Sequence, residues 1–211
     1  MKEQRVQRVL NAMKENGIPQ MIISDSTAIF YLTGKWIHPG ERLLALYLNV
    51  NGNHKLVINE LFPQNEDLGV ELVWYNDIQD GVAILNEVLE HDKKIGIDKT
   101  WPARFLLRLQ ELGGAKGYVN GSLIVDGVRM VKDEEEQEKM RISSRINDEV
   151  MGELIPMTGR GMSEKELDAA VRKLYVSHGC EDVSFSPITA FGKNGADPHH
   201  MTDDTKGKTG D

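Results

Sequence analysis

Short apolar segments alternate with helical segments over the first 120 residues, and this alternation constrains the fold more than any other feature of the sequence. The segments typical of strands are residues 20–24, 43–50, 55–58, 71–75 and 94–97. Between the second and third of them, Asn51-Gly52-Asn53 has the composition of a tight hairpin turn. Helical segments separate most of the others, so we predict an α/β domain with a mixed sheet covered by helices.

Three amphipathic segments supply helices to cover that sheet. Residues 3–16 predict a helix that ends at Gly17. Residues 77–90 predict a second helix, capped by Asp77, and residues 102–112 predict a third. The side chains that we expect to be buried on the first two helices are Val6, Val9, Leu10, Met13, Ile78, Val82, Leu85 and Leu89.

The remainder of the chain begins with long helical segments. One is predicted to run from an N-cap at Asp133 to Pro156, which should stop it. The acidic residues 134–136 in its first turn suit the helix dipole, which explains them more simply than a metal site. Another helix is predicted to begin at Ser163 with a capping box, and we expect Cys180, after its end, to be a small buried hydrophobic residue.

Residues 183–200 combine rigid backbone with two imidazoles. An apolar strand is predicted at residues 183–185, and a glycine-rich turn then leads to Pro198, His199 and His200. Such rigidity is what a site needs, because an imidazole works only when its ring is held in place. A surface loop with two solvated histidines explains the same residues, and the residues alone leave both interpretations open.

The composition excludes several classes of partner. The chain of 211 residues has a net charge of −8 and no block of Lys and Arg, so nucleic acid and anionic membranes are not expected partners. Cys180 is the single cysteine, which rules out an internal disulfide and fits a reducing compartment. No apolar run suits a signal peptide or a membrane span, and we expect a cytoplasmic protein.

Four stretches follow one another along the chain: G-I-P-Q-M-I-I-S with Y-L-T-G, then I-G-I-D, then V-D-G-V-R-M-V-K-D-E-E-E, and finally the histidine stretch. Together they resemble the "pita-bread" metallopeptidases, the family of prolidase, aminopeptidase P and creatinase. The resemblance implies a creatinase-type amino-terminal domain, with a mixed sheet and covering helices, in residues 1–126. It implies an incomplete α+β pita-bread catalytic domain in residues 127–211.

Within that family the sequence looks closest to a Xaa-Pro dipeptidase, which hydrolyses the Xaa-Pro bond of a proline-containing dipeptide or peptide. The resemblance implies two divalent metal ions, Mn, Co or Zn, bridged by an attacking hydroxide. His199 matches the family histidine that donates a hydrogen bond to the developing oxyanion, so it is our candidate catalytic and substrate-binding residue. His200 would point the other way in an extended segment, and we do not expect it to be essential.

A second candidate, His38, lies in a loop at residues 35–42, beside Trp36 and between two predicted strands. In dimeric prolidases the equivalent loop reaches over the partner's active site. The resemblance therefore implies a homodimer in which His38 contacts substrate in trans. The alternative is that Trp36 packs on the sheet and His38 is solvated.

One departure from the family pattern has large consequences. The family's metal ligands, two Asp, one His and two Glu, would follow Gly210-Asp211, so we expect no metal ligand in this chain and both ions only in a full-length parent. The fragment should then be inactive and should associate to bury apolar helix faces. Two other functions stay open: a non-catalytic oligomerisation or peptide- or protein-binding module, and a creatinase-like hydrolase.

Overall fold

The computed structural model describes residues 1–211, which form two compact units, Met1–Val131 and Lys132–Asp211. The first unit contains two apolar clusters and the second contains one. None of the helices combines the length and the apolar character that crossing a bilayer requires.

The first unit is built on one six-stranded sheet. Its helices are α1 (Glu3–Glu15), α2 (Ser26–Thr33), α3 (Gly81–Asn86), α4 (Ala103–Glu111) and α5 (Ser122–Met130). Its strands are β1 (Gln20–Ile23), β2 (Ala45–Asn49), β3 (Lys55–Asn59), β4 (Glu71–Tyr75), β5 (Lys94–Ile97) and β6 (Gly117–Asn120). The strand order is β4-β3-β2-β1-β5-β6, with antiparallel pairing at β1–β2 and β2–β3 and parallel pairing elsewhere. The predicted mixed sheet is therefore confirmed.

The central strand β1 contributes side chains to both faces of the sheet, because successive residues of a strand point in opposite directions. Met21 and Ile23 join the cluster that contains residues of α1, α2 and α5. Ile22 joins the other cluster, with residues of α3 and α4. All three side chains are fully buried. Helices on both faces explain why β1 is a continuous apolar run rather than an alternating one.

The second unit consists of two helices followed by a segment with little regular structure. Its elements are α6 (Glu134–Thr158), α7 (Glu164–Ser177) and a 3₁₀ turn (Gly192–Ala196). The apolar contact between the helices is small, and its buried side chains are Leu154, Leu167 and Val171.

Both helices of the second unit begin with a capping box, which was predicted at Ser163, whereas at Asp133 only an N-cap was predicted. The side chain of Asp133 accepts the N–H of Glu136, and the Glu136 carboxylate accepts the N–H of Asp133. Ser163 and Glu166 make the same reciprocal pair at the start of α7. Each box occupies two backbone donors that a helix start otherwise leaves free.

Helix α3 begins later than predicted. Its N-cap is Asp80, whose carboxylate accepts two backbone N–H groups of the first turn, whereas Asp77 binds the guanidinium of Arg42. Ile78 lies before the helix and is 95% exposed, so its predicted burial was wrong.

Three further local predictions were wrong. Helix α6 continues past Pro156 to Thr158, because a proline so close to the helix end removes one donor from a turn that is about to finish. Residues 183–185 form no strand, and Phe185 is 75% exposed with no neighbouring strand in this unit to pair with. Cys180 is only partly buried.

One strand went unpredicted. The residues of β6 are partly buried or exposed, and Val119 is their only β-branched member, so the apolar signal is weak. The division between the two units follows Val131, whereas the boundary expected between residues 126 and 127 falls inside α5.

Candidate functional site

The first turn of α7 lies at the centre of the candidate site. Its first residue, Glu164, is completely buried, which is rare for a glutamate without partners. The N–H of Glu164 donates to the carbonyl of Thr205, and the N–H of Lys165 donates to the carbonyl of Asp203. Helix starts leave such donors free, so these bonds tie the last segment of the chain to α7.

Four donors surround the Glu164 carboxylate. Oε1 accepts from the N–H of Phe191 at 2.9 Å and from the side-chain amide of Asn194 at 2.9 Å. Oε2 accepts from the N–H of Asp203 at 3.0 Å and lies 2.6 Å from Nε2 of His200. Burial alone would raise the pKa of Glu164, but together the hydrogen bonds outweigh it and lower the pKa to about 2. The carboxylate is therefore ionised at neutral pH.

The adjacent histidines that the sequence singled out lie in different environments. The His200 side chain is 14% exposed and is held against Glu164, whereas His199 is exposed to solvent. Asp197 fixes the backbone between them: its carboxylate accepts the N–H of His199 at 2.9 Å, and its carbonyl accepts the N–H of His200 at 3.2 Å. Pro198, inside the same turn, restricts φ. The result is one solvent-facing imidazole on a constrained loop.

His38, in the first unit, belongs to an exposed aromatic cluster. The indole N–H of Trp36 donates to Nε2 of His38, and the two rings meet edge-on with centroids 5.4 Å apart. Phe30 contacts Trp36 in the same way at 5.6 Å. Trp36 is 46% exposed, so it does not pack down on the sheet, and His38 is exposed as well.

One group of side chains has the spacing of a metal site. Ligand atoms of Glu164, His200 and Asp203 lie within 4.8 Å of one another. Both Glu164 oxygens already accept hydrogen bonds, and Nε2 of His200 faces one of them. A bound ion would have to displace these donors, and the group supplies only two carboxylates. The donor set therefore does not fit a two-metal centre, and it suits a polar anchor.

A second charged cluster, in the same unit, was not anticipated from the sequence. Nδ1 of His178 lies 3.1 Å from a carboxylate oxygen of Glu149, and Nε2 lies 2.7 Å from Glu153. The hydrogen bond to Glu153, reinforced by Glu149, raises the pKa of His178. Because each ring nitrogen faces a different carboxylate, the arrangement suits an imidazolium clamp between α7 and α6.

Sequence reasoning also missed Glu164, although it placed a capping box at Ser163, the residue before it. The capping box assigns roles to Ser163 and Glu166 and none to the two residues between them. The donors that bind Glu164 come from residues 191–203, so no local pattern marks it. A possible signal was its position at a helix start, where negative charge is favoured.

Two family models match successive parts of the chain, in the order of its two compact units. Residues 5–131 match the family model described as Creatinase/Prolidase N-terminal domain. Residues 138–211 match the model described as Metallopeptidase family M24. The chain belongs to the creatinase/prolidase family.

Individual relatives agree with this placement. An Xaa-Pro dipeptidase from Pyrococcus horikoshii is 23% identical over 211 residues, which cover 99% of this chain and 58% of that protein. The crystal structure of a dipeptidase from P. horikoshii OT3 matches with a TM-score of 0.84 and 29% identity, over 97% of this chain and 58% of that one. A recombinant prolidase from Thermococcus sibiricus matches with a TM-score of 0.88 and 25% identity, over 99% and 59%. The chain thus spans about three fifths of the length of these relatives.

Proposed function

We propose that this chain is part of a Xaa-Pro dipeptidase, a proline-specific metallopeptidase that acts on proline-containing dipeptides or peptides when the protein has its relatives' full length. The observation that carries the proposal is a solvent-facing His199 on a constrained loop, in a chain of the creatinase/prolidase family. A peptidase needs such a group beside its substrate, because positioned donors act where charge develops.

His199 has a defined role in this proposal. The carbonyl oxygen of the scissile bond gains negative charge as the tetrahedral transition state forms. A ring N–H of His199 donates a hydrogen bond to that oxygen, and the bond strengthens as the charge grows. The turn at Asp197 and Pro198 restricts the backbone beforehand, so less conformational freedom is lost when substrate binds.

The proposal includes two divalent metal ions, Mn, Co or Zn, in the full-length protein. They would supply an attacking hydroxide at neutral pH. In the one group of this chain with the spacing of a metal site, the oxygens of Glu164 are already engaged by hydrogen-bond donors. We therefore propose that this chain alone does not hydrolyse Xaa-Pro bonds.

The aromatic cluster of the first unit supports a second contact with substrate. Phe30, Trp36 and His38 present exposed rings from α2 and the loop after it. We include in the proposal a homodimer in which His38 of one copy contacts the substrate held by the other. A cytoplasmic location is also part of it, supported by the unpaired cysteine Cys180.

A non-catalytic binding or oligomerisation module is the second candidate. One observation favours it: large apolar side chains of α6 are exposed, with Met140 57% and Ile155 62% accessible. Such surfaces are typical of interfaces. Creatinase-like hydrolysis is a third candidate, and no observation in this structure favours it.

The proposed function is tested by hydrolysis of a Xaa-Pro dipeptide with added Mn²⁺, using this chain and a version with its relatives' full length. A matched Xaa-Ala dipeptide serves as the control substrate. We expect cleavage of the Xaa-Pro bond only by the longer protein. Failure of the longer protein to bind Mn²⁺ and to cleave either peptide would favour the binding module.

The role of His38 is tested by mixing two inactive variants of the longer protein, His38→Ala and His199→Ala. If His38 acts in trans, mixed dimers contain one site with both histidines intact, so activity returns on mixing. If His38 acts within its own copy, mixing restores nothing, and if His38 has no role, His38→Ala alone keeps full activity.

A further inference from the structure

The loop that carries His199 is closed by a single side chain. Phe191 precedes the 3₁₀ turn and Asp203 follows the two histidines, and the backbone N–H groups of both residues bind the Glu164 carboxylate. The hydroxyl of Thr189 donates to the backbone carbonyl of Glu164 at 2.7 Å. Both flanks of the loop are thereby fixed to one point on α7.

The hydrogen bonds that hold this loop to Glu164 require a carboxylate. Each of the two oxygens of Glu164 faces two partners, and all four partners act as donors. A carboxylate can accept at both oxygens, whereas an amide has one accepting end and one donating end. A glutamine at this position would therefore place its NH₂ group against donors in either orientation. Because the site is buried, water cannot take over the lost bonds at no cost.

The contacts between the loop and Glu164 also determine which histidine faces solvent. The His200 ring is held against Glu164, and its backbone N–H is held by the carbonyl of Asp197. The His199 ring lies on the solvent side, because His200 is turned inward and the N–H of His199 is bound to the Asp197 carboxylate. The position of His199 thus depends on a residue that does not touch it.

We propose that Glu164 is the positioning residue for His199, with His200 as its anchor, so that one buried carboxylate sets the geometry of the substrate-facing imidazole. This inference rests on the proposed function only in its statement that His199 faces a substrate. The mechanical part, a loop held by Glu164, is a property of this chain alone and is measurable without any activity.

The test uses Glu164→Gln in this chain, with Glu166→Gln as the matched control. Glu166 lies in the same helical turn, and its carboxylate accepts the N–H of Ser163, at the cap of its own helix. Amide hydrogen exchange is measured by NMR at Phe191 and Asp203, together with the ring signals of His199. We expect Glu164→Gln to speed exchange at these amides by about tenfold or more, the size of effect expected for loss of a hydrogen bond to a charged group. The ring signals of His199 should shift or broaden.

Two further variants keep the test informative if Glu164→Gln unfolds the second unit. His200→Leu removes the ring donor to Glu164, whereas His200→Gln keeps an N–H near the position of Nε2. We expect His200→Leu to reproduce the changes at Asp203 and His199, and His200→Gln to restore most of the protection. A role limited to general stability would not distinguish between these two variants.

The outcomes separate this inference from the proposed function. If Glu164→Gln and His200→Leu leave both amides and the His199 signals as in Glu166→Gln, the inference is overturned whatever the enzyme does. If the loop signals change while the full-length protein cleaves no Xaa-Pro peptide, the positioning role stands and the proposed function fails. In an active full-length protein, Glu164→Gln should lower kcat with little change in KM, and a change in KM alone would contradict positioning of a transition-state donor.

Discussion

The two units of this chain are stabilised in different ways. The first encloses a six-stranded sheet between helices, and almost all of the buried apolar side chains of the protein belong to it. The second buries a small apolar cluster, and its segment after α7 is held by hydrogen bonds to Glu164. An apolar core accepts many substitutions with only a partial loss of stability. A buried charge is destabilised when any one of its hydrogen-bond donors is removed. The comparison explains why a loop with little regular structure can still be well defined.

The largest effect is expected in the core of the first unit. Leu46 is fully buried in β2, so Leu46→Ala should reduce the free energy of unfolding by about 2–5 kcal/mol. Trp36, Trp74 and Trp101 all lie in this unit, so tryptophan fluorescence during urea unfolding reports on it specifically. Leu61→Ala, at a position 58% exposed, is the control and should stay within about 0.5 kcal/mol. Equal losses for both variants would contradict the description of this core.

The next effect concerns acid stability of the second unit. The folded-state pKa of Glu164, about 2, lies below its ordinary value of 4.5, so its contribution to stability is complete above pH 4.5 and is lost as pH falls towards 2. NMR signals of residues 189–205 should therefore weaken across this range, and Glu164→Gln should abolish that dependence. Asp77 in the first unit also has a pKa lowered by its hydrogen bond to Arg42, but the pair is exposed and should matter less. Simultaneous acid loss of both units in the variant and the parent would argue against a separate role for Glu164.

A smaller effect is expected at the helix caps. Ser163→Ala removes the hydroxyl that accepts the N–H of Glu166 and should cost about 1 kcal/mol in the stability of α7. Ser177→Ala, near the other end of the same helix, is the control, because its hydroxyl donates to the carbonyl of Leu174 and caps nothing. Circular dichroism during thermal unfolding measures both. Unchanged melting of Ser163→Ala would show that the tie between α7 and Thr205 supports the helix start without the cap.

The smallest effect is expected at His178, because it is a partly exposed contact that salt screens. Its pKa is raised by Glu153 and Glu149, so its contribution is complete below its ordinary value of 6.5 and disappears as pH rises through the folded-state pKa. The second unit should accordingly lose a little stability above neutral pH, and His178→Gln should not show this loss. His91→Gln, in the first unit, is the control. A loss of equal size in His178→Gln would assign it to another group.

The sequence predicted the first unit well because its signals are local. The apolar run of β1, the hairpin residues Asn51-Gly52-Asn53 and the stripe of α1 each reflect a pattern within a few residues. The predicted start of α3 was wrong because two aspartates, Asp77 and Asp80, could each cap that helix. Strand β6 was missed because its apolar signal is weak. Family resemblance then supplied the arrangement of the whole domain.

The candidate site was only partly predictable. The resemblance marked His199, and the backbone pattern marked a rigid loop around it. Glu164 was not predicted because its partners lie 27 to 39 residues further along the chain. A buried ion whose donors are distant in sequence produces no periodic sequence pattern. His200 is a related case: two adjacent histidines look alike in sequence, and only packing assigns one of them to the anchor.

The most direct test of this account compares His199→Ala with His200→Ala in the full-length protein, using Xaa-Pro hydrolysis with Mn²⁺ and thermal unfolding. We predict that His199→Ala lowers kcat by about 10²–10³, the usual cost of losing one oxyanion donor, and leaves the melting temperature unchanged. His200→Ala should lower the melting temperature of the second unit, since it leaves a buried carboxylate short of one donor. Full activity in His199→Ala would contradict the account.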